Sequence, residues 1–552
     1  MFDKSERVSG KWYTRPVATQ TVRERVYDLF RKRELTTLFA NPGSTEIPFL
    51  VGMPDDLEFV LGLHEGSVVG MASGYAIGRG KPALVLLHTT AGLGNAVGAL
   101  ATARVNRAPL VVLVGQQDRR HLSYEPFLAG RLSGLAGEYP VRFEEPASAQ
   151  DVPAAIERAY HAAAVERGPA LVVVPMDDWA APADDDKEPA SAAGPVLRAA
   201  AADGGAADTL AAFLADAASP AIVVGAGADE PATWAALVEL TERLVAPVFQ
   251  EAFGGRAGFP QDHPLFAGVL SSHRPTLRER LEPFDALLVV GAPAFRQAAY
   301  APGPFTRPGQ RLALVSDDPE EVYRSPAHVA VLAPPAAVCR EVAARLPQRD
   351  ADPPPPFVRP AAPAPPADGE PLTTSHVLAA LAERLSRETI LLEEAPVDRP
   401  DIHDRLPARE PMGYVSAAQG GLGFALPAAA GLRLATGRPV CAVIGDGAAI
   451  YQIQGLWSAA RYGAGPLYVV LANGGYAIMD RLAERAGGSG PWPGFEDLEL
   501  ATIARSFGCE ARRIVTHDEL LAALDEVVPT LADRTTPLLL DVAVTKSATF
   551  GA

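Results

Sequence analysis

Two short segments in the last third of the chain carry residues suited to chemistry: Gly445-Asp446-Gly447 and Asn473-Gly474-Gly475. Each follows an apolar run, Val440–Ile444 and Leu467–Leu471, that reads as a buried parallel strand opening into a loop. Open α/β sheets bind ligands at such carboxyl ends. An Asp carboxylate, an Asn side-chain oxygen and a nearby backbone carbonyl suit a hard cation such as Mg2+, which commonly keeps phosphate oxygens in its shell. Glycines 445, 447, 474 and 475 let the backbone come close to those phosphates. A lone Gly-Asp-Gly fits an ordinary capping turn better. The second element tips the reading toward a site for a metal-bound diphosphate.

The first third holds a second group of candidates. Leu38 to Glu46 contains Asn41-Pro42-Gly43-Ser44, a tight turn that leaves Ser44 exposed before a helix. Leu63-His64-Glu65-Gly66 sets Glu65 before a run of small residues, and His88 falls just past the strand-like run Pro82–Leu87. Taken singly, each has a bland alternative: Ser44 as a helix cap, Glu65 as a solvated helix residue, His88 as a structural histidine. Three such signals in one block call for a common cause.

The elements that must position these residues follow from composition and pattern. At about 150 residues per domain, 552 residues suggest three or four domains. Ala180–Ala202, rich in Ala, Asp and Pro, and Asp350–Pro371, with its proline clusters, read as linkers, the second a semi-rigid extended spacer. The blocks between them alternate strand-like runs with Ala-rich helical stretches. Pro82–Leu87, Leu110–Val114 and Leu171–Val174 lie in the first, and Ala221–Val224, Ala286–Val290 and Leu312–Val315 in the second. The third has Thr389–Leu392 and Leu538–Val542 beside the two runs above. The fold class expected is α/β, with three doubly wound parallel-sheet domains.

A net charge of −17 argues against nucleic acid or an anionic membrane as partner. Cys339, Cys441 and Cys509 are too few and too scattered for a disulfide framework or zinc site, which points to a reducing cytoplasm. Met1–Gln20 lacks the apolar core of a signal peptide, and no apolar stretch reaches the roughly 20 residues of a membrane helix.

Asn41–Glu46, His64–Gly66, Gly115–Gln117, Gln419–Pro427 and the Gly445-to-Gly475 element, in this order, resemble the thiamine diphosphate-dependent 2-oxo acid decarboxylases and carboligases, most of all the benzoylformate decarboxylase branch. The likeness covers essentially the whole chain after about residue 17, including the turn Gly291–Arg296. It implies three domains of this family's type: a pyrimidine-binding domain over 17–180, a central domain over 203–348 without bound nucleotide, a Pro-rich linker over 349–371 and a diphosphate-binding domain over 372–548.

The resemblance also assigns roles. Glu65 matches the Glu that hydrogen-bonds the cofactor's aminopyrimidine, so that its imino tautomer can act as internal base, and Ser44 and His88 match groups facing the substrate. Leu422 matches the bulky residue beneath the cofactor, while Asp446, Asn473 and the Gly475 carbonyl match the Mg2+ ligands. Asn41, Pro42, Gly43, Gly420, Gly445, Gly447, Ala448 and Tyr476 complete the cofactor-binding set. Glu394 falls where the family also has an acidic residue, with no role assigned. Because the two groups of residues come from different blocks, the resemblance implies a homodimer or homotetramer with thiamine diphosphate between subunits, acting on a small 2-oxo acid, with an aldehyde acceptor as a further candidate partner.

The departures lie on the substrate side. Where the benzoylformate decarboxylase pattern has a second histidine this chain has Ala298, a Thr becomes Pro396, an aromatic becomes Leu482, and Ala472 replaces an Asn. Loss of one proton-transfer group is expected to favour carbon–carbon bond formation over aldehyde release. Two alternatives remain open: an acetolactate synthase-like carboligase, and a non-catalytic binding or regulatory subunit, against which retention of Glu65, His88, Asp446 and Asn473 speaks. Val224–Asp229 hints at a dinucleotide loop, but Glu230 occupies the third glycine position, where a carboxylate opposes a pyrophosphate.

Overall fold

The computed structural model describes residues 7–8, 11–12, 20–184, 190–192, 194, 196, 203–367 and 369–547. Much of the expected 180–202 linker and the extreme ends of the expected first and last domains lie outside them.

Three six-stranded sheets, each wholly parallel, carry the chain. The first comprises β1 (Thr37–Asn41), β2 (Glu58–Leu61), β3 (Ala83–Leu87), β4 (Leu110–Gln116), β5 (Arg142–Glu144) and β6 (Pro169–Pro175), in the order β2-β1-β3-β4-β6-β5. The second comprises β7 (Pro220–Val224), β8 (Val248–Gln250), β9 (Phe266–Val269), β10 (Ala286–Val290), β11 (Arg311–Ser316) and β12 (Val329–Leu332), ordered β9-β8-β7-β10-β11-β12. The third comprises β13 (Ile390–Glu394), β14 (Tyr414–Ser416), β15 (Val440–Gly445), β16 (Leu467–Ala472), β17 (Glu510–Ile514) and β18 (Leu538–Ala543), ordered β14-β13-β15-β16-β18-β17. Interior strands such as β3, β4, β7 and β10 are apolar and buried along their whole length, as strands covered by helices on both faces must be. The expected doubly wound α/β architecture is what the chain adopts.

The first and third sheets have the same strand order, and the helices joining their second and third strands meet. Three helices matter here: α1 (Glu65–Arg79), α2 (Thr89–Val105) and α3 (Ala425–Thr436). α1 begins at His64, whose ring accepts the Gly66 N–H at 3.0 Å, and ends at Gly80 in the left-handed region. Small residues line the crossing of α1 and α3. A Cβ on Gly74 would strike the Ala428 carbonyl, and one on Gly431 would strike the Met71 carbonyl, so each helix presses a glycine onto the other's backbone. The Ser67 hydroxyl donates to Gln452 Oε1 at 2.8 Å and extends the contact toward the third sheet's ligand-binding end.

The Pro-rich stretch 350–367 runs without helix or strand, but it is fastened down. Phe357 packs edge-on against Phe266, and Arg359 donates to the carbonyls of Gln261, His403 and Asp404.

Adding a methyl at the helix crossing tests its tightness. Gly431→Ala is expected to lose about 1–3 kcal/mol, the usual cost of forcing atoms into a packed contact. Gly98→Ala, in α2, where a Cβ meets nothing within 4 Å, is expected to be neutral or to stabilise by about 0.5–1 kcal/mol. Denaturant unfolding of the two variants reads the difference, and equal stabilities would refute the close crossing.

Candidate functional site

The first and third sheets both reverse their strand order between the first and third strands of the set, the place where open α/β sheets bind ligands. At that point in the first sheet, β1 ends at Asn41 and β3 runs into His88. Glu65, at the start of α1, is only 7% exposed. Its two oxygens accept from Asn41 Nδ2 and Asn95 Nδ2, each at 3.0 Å. Neither donor is a cation, so the carboxylate is held by amides and by the positive end of α1, with lone pairs left for a further donor.

Beside it, Glu46 is 1% exposed and gathers three groups. Gly43 N–H donates to Oε2 at 2.7 Å, His88 Nδ1 lies 2.9 Å from the same oxygen, and the Thr45 hydroxyl donates to Oε1. Two glycines make room: a Cβ on Gly43 would lie 2.5 Å from the His88 ring, and one on Gly115 would collide with Glu46 Oε1. Thr89, next to His88, is held at φ +39°, a left-handed conformation that a β-branched residue keeps only when its surroundings enforce it. Asn41, Gly43, Glu65 and His88 thus come together as expected. Ser44 does not join their hydrogen bonds; it is exposed at the head of the turn Ser44–Glu46.

In the third sheet the reversal lies between β13 and β15. Asp446 begins the short helix after β15 and is 5% exposed. Its carboxylate accepts the Gly447 and Gly474 N–H groups, both at 2.7 Å. Burial pushes the Asp446 carboxyl above its ordinary value, and the neighbouring N–H groups act against that. Asn473 Oδ1 accepts the Gly475 N–H at 3.1 Å, which curls the loop back on itself with Gly474 at φ +74°. Carboxylate, amide and carbonyl oxygens converge on this loop, a donor set that fits a hard cation carrying phosphate oxygens. Tyr476 stands edge-on to Phe495 at 5.1 Å and covers Gly447, where a Cβ would meet its ring at 2.7 Å.

The structure gives Glu394 the role its sequence position did not. It is 2% exposed at the end of β13 and accepts the N–H groups of Gly423, Phe424 (2.8 Å) and Ala425 (2.6 Å), capping α3 from another element. Burial pushes its carboxyl up to about 7, opposed by those N–H groups. Its neighbour Glu393 instead pairs with Arg399 at 2.8 Å and accepts from Tyr414. Glu394 therefore anchors the loop carrying Gly420 and half-buried Leu422.

Family models cover most of the described chain. The N-terminal thiamine pyrophosphate-binding domain matches residues 20–135, the central domain of these enzymes matches 207–342, and the C-terminal thiamine pyrophosphate-binding domain matches 401–542. The chain belongs to the thiamine pyrophosphate enzyme family. It is 37% identical to benzoylformate decarboxylase of Pseudomonas aeruginosa over 95% of its length and 98% of that protein's. With the acetolactate synthase large subunit of Parasynechococcus marenigrum it shares 27% identity, over 92% of this chain and 86% of that one. Among solved structures, the thiamine diphosphate-dependent 4-hydroxybenzoylformate decarboxylase of Rhodococcus jostii RHA1 superposes with a TM-score of 0.90 at 36% identity, covering 96% of this chain and all of that one. The protein is a thiamine diphosphate-dependent enzyme of the 2-oxo acid decarboxylase and carboligase type.

Sequence reasoning missed Glu46 and Asn95, although Glu46 stands inside a segment it singled out, and it placed Glu394 without giving it a role. Glu394 can be tested by truncation. Glu394→Ala strands three buried N–H groups at about 1–3 kcal/mol each, so substantial destabilisation is expected, together with new protease cleavage within 419–424. An unchanged cleavage pattern in a folded variant would remove Glu394's anchoring role.

Proposed function

We propose that this enzyme decarboxylates an aryl 2-oxo acid non-oxidatively, with thiamine diphosphate held through Mg2+. The observation that carries this reading is the buried Glu65 carboxylate, held by two neutral amides and free to share a proton with a cofactor nitrogen. A merely binding protein needs no such group. The relatives' names supply the substrate class: benzoylformate in one, 4-hydroxybenzoylformate in another.

Bound thiamine diphosphate supplies the electron sink for the carbanion left as CO2 departs. The chain's own part is as follows. Asp446, Asn473 and the Gly475 carbonyl would hold Mg2+; Gly445, Gly447, Ala448 and Tyr476 would border the diphosphate; Gly420 and Leu422 would support the cofactor. Asn41, Pro42 and Gly43 line the pyrimidine side, and Glu65 exchanges its proton. Ser44 and His88 face the substrate, His88 moving a proton at its ring nitrogen. The domain spans 17–180, 203–348 and 372–548, with the 349–371 linker, belong to the same proposal.

A dimer or tetramer fits the half-sites. Ile47, Leu63, Phe127, Tyr451, Met479 and Leu482 are large apolar side chains left between 41% and 85% exposed in or beside the segments that carry them. Apolar surface of this kind marks association. The three cysteines are buried and free, in keeping with a reducing cytoplasm.

Carboligation with an aldehyde is the second reading, favoured by one feature. A crevice of about 820 Å³ borders Ala298, Phe253 and Gly420 as well as charged residues such as Arg296, Arg324 and Glu320, and it leaves space where the benzoylformate decarboxylase pattern has a histidine.

Release of CO2 from benzoylformate and 4-hydroxybenzoylformate is expected to require both thiamine diphosphate and Mg2+. Glu65→Gln should bind the cofactor normally by calorimetry yet lose about 10²–10⁴ in kcat, the worth of a positioned proton-transfer group. Asp446→Ala should lose Mg2+-dependent cofactor retention altogether. A fully loaded wild type that releases no CO2 from any 2-oxo acid would overturn the proposal.

With excess benzaldehyde present, the ratio of 2-hydroxy ketone to aldehyde is expected to fall in Ala298→His relative to wild type. An unchanged ratio in a folded, cofactor-loaded variant would remove the link between the absent histidine and carboligation.

A further inference from the structure

The His88 ring has a fixed environment on one side and an open one on the other. Nδ1 lies 2.9 Å from Glu46 Oε2 and 3.0 Å from Thr45 Oγ1. The Thr45 hydroxyl gives its own proton to Glu46 Oε1, which leaves its oxygen lone pairs for Nδ1. A carboxylate oxygen can only accept. Both neighbours of Nδ1 are therefore acceptors, and the proton of the neutral ring must sit on Nδ1. Nε2 then carries the free lone pair. Gly43 closes one side of the ring so tightly that a Cβ there would lie 2.5 Å from it.

Glu46 is itself fixed from three directions, by Gly43 N–H, by Thr45 and by Gly115, whose missing side chain makes its space. No Arg or Lys forms an ion pair with it among the described residues; its only ion-pair partner there is His88. A carboxylate buried to 1% exposure without a lysine or arginine is costly unless it does something for the group it touches.

We propose that Glu46 is the positioning residue for His88: it fixes the Nδ1–H tautomer, aims Nε2 at the reacting atoms, and balances the imidazolium charge when Nε2 takes up a proton. The proton on Nδ1 stays there throughout, and Nε2 alone gains and returns one. The inference rests on the proposed reaction for its kinetic consequences, but the tautomer stands apart from it. By the same logic, second groups that orient an imidazole through its far nitrogen set which nitrogen does the chemistry.

Two experiments separate these parts. A neutron-diffraction map of the wild-type holoenzyme is expected to show hydrogen on Nδ1 and none on Nε2 of His88; hydrogen on Nε2 with bare Nδ1 overturns the proposal whatever reaction the enzyme runs. For the kinetic part, Glu46→Gln keeps an acceptor oxygen but removes the charge. It is expected to lower kcat at least about 10-fold, a part of the 10²–10⁴ worth of positioned acid–base catalysis, with KM and thiamine diphosphate affinity within about twofold. Glu46→Asp should recover part of the loss. In a His88→Ala background, Glu46→Gln should cost nothing more. An equal loss in both backgrounds, or an unchanged kcat in the folded single variant, would show that Glu46 only supports the turn.

Discussion

The placement of both half-sites within one subunit depends on how closely α1 and α3 cross. A helix pair usually sits 8–10 Å apart, with side chains filling the gap; here Gly74 and Gly431 let backbone meet backbone. Each helix starts at a group of the candidate site: α1 at Glu65, α3 at the loop that Glu394 holds. Fixing the crossing fixes where those helix starts lie relative to each other. Because both helices join equivalent strands of sheets with the same order, the contact is nearly reciprocal, glycine to carbonyl in each direction. One arrangement has been used twice and locked against itself.

A second constraint is chemical. Glu46, Glu65, Glu394 and Asp446 are all at most 7% exposed, and none has an Arg or Lys ion-pair partner among the described residues. N–H groups, amides, a hydroxyl and an imidazole hold them instead. Several other buried carboxylates face cations, Arg107 binding Asp317 at 2.8 Å and Glu321 at 3.0 Å and Arg399 binding Glu393, while Glu251 and Asp398 are buried without an ion-pair partner among the described residues. The contrast is physical. A neighbouring guanidinium holds a carboxylate ionised and spent, whereas neutral donors leave it able to take a proton, a metal or an imidazolium as its next partner.

Much of this was legible in the sequence. The named runs fall on β3, β4, β6, β7, β10, β11, β13, β15, β16 and β18, because interior parallel strands are continuously apolar. Every sheet edge was missed: β2, β5, β9, β12, β14 and β17 are short, and most are partly exposed, so their apolar signal is broken. Asp446 and Asn473 could be read because loops after strands advertise themselves with glycine. Glu46 and Glu394 could not, since their partners are backbone N–H groups and a ring brought in by folding, and sequence spacing carries no trace of that. Ser44, by contrast, is a motif residue whose side chain lies exposed, outside the hydrogen-bonded cluster.

The central sheet completes the argument by what its glycines do. Its order, with β7 and β10 at the reversal, is that of a dinucleotide-binding fold. Yet a Cβ on Gly225 would lie 2.6 Å from Ala292 Cβ, one on Gly227 would lie 2.9 Å from both Gly291 Cα and the Arg107 guanidinium, and Gly227 N–H donates to the Gly291 carbonyl at 2.8 Å. The loop that would cradle a pyrophosphate in such a fold is closed against its own neighbour. Arg107, reaching in from the end of α2, is in turn clamped by Asp317 and Glu321 of the central domain. The glycines here close the loop within the central domain and leave room for Arg107, whose ion pairs tie the end of α2 to that domain, and strand order alone assigns the sheet no ligand.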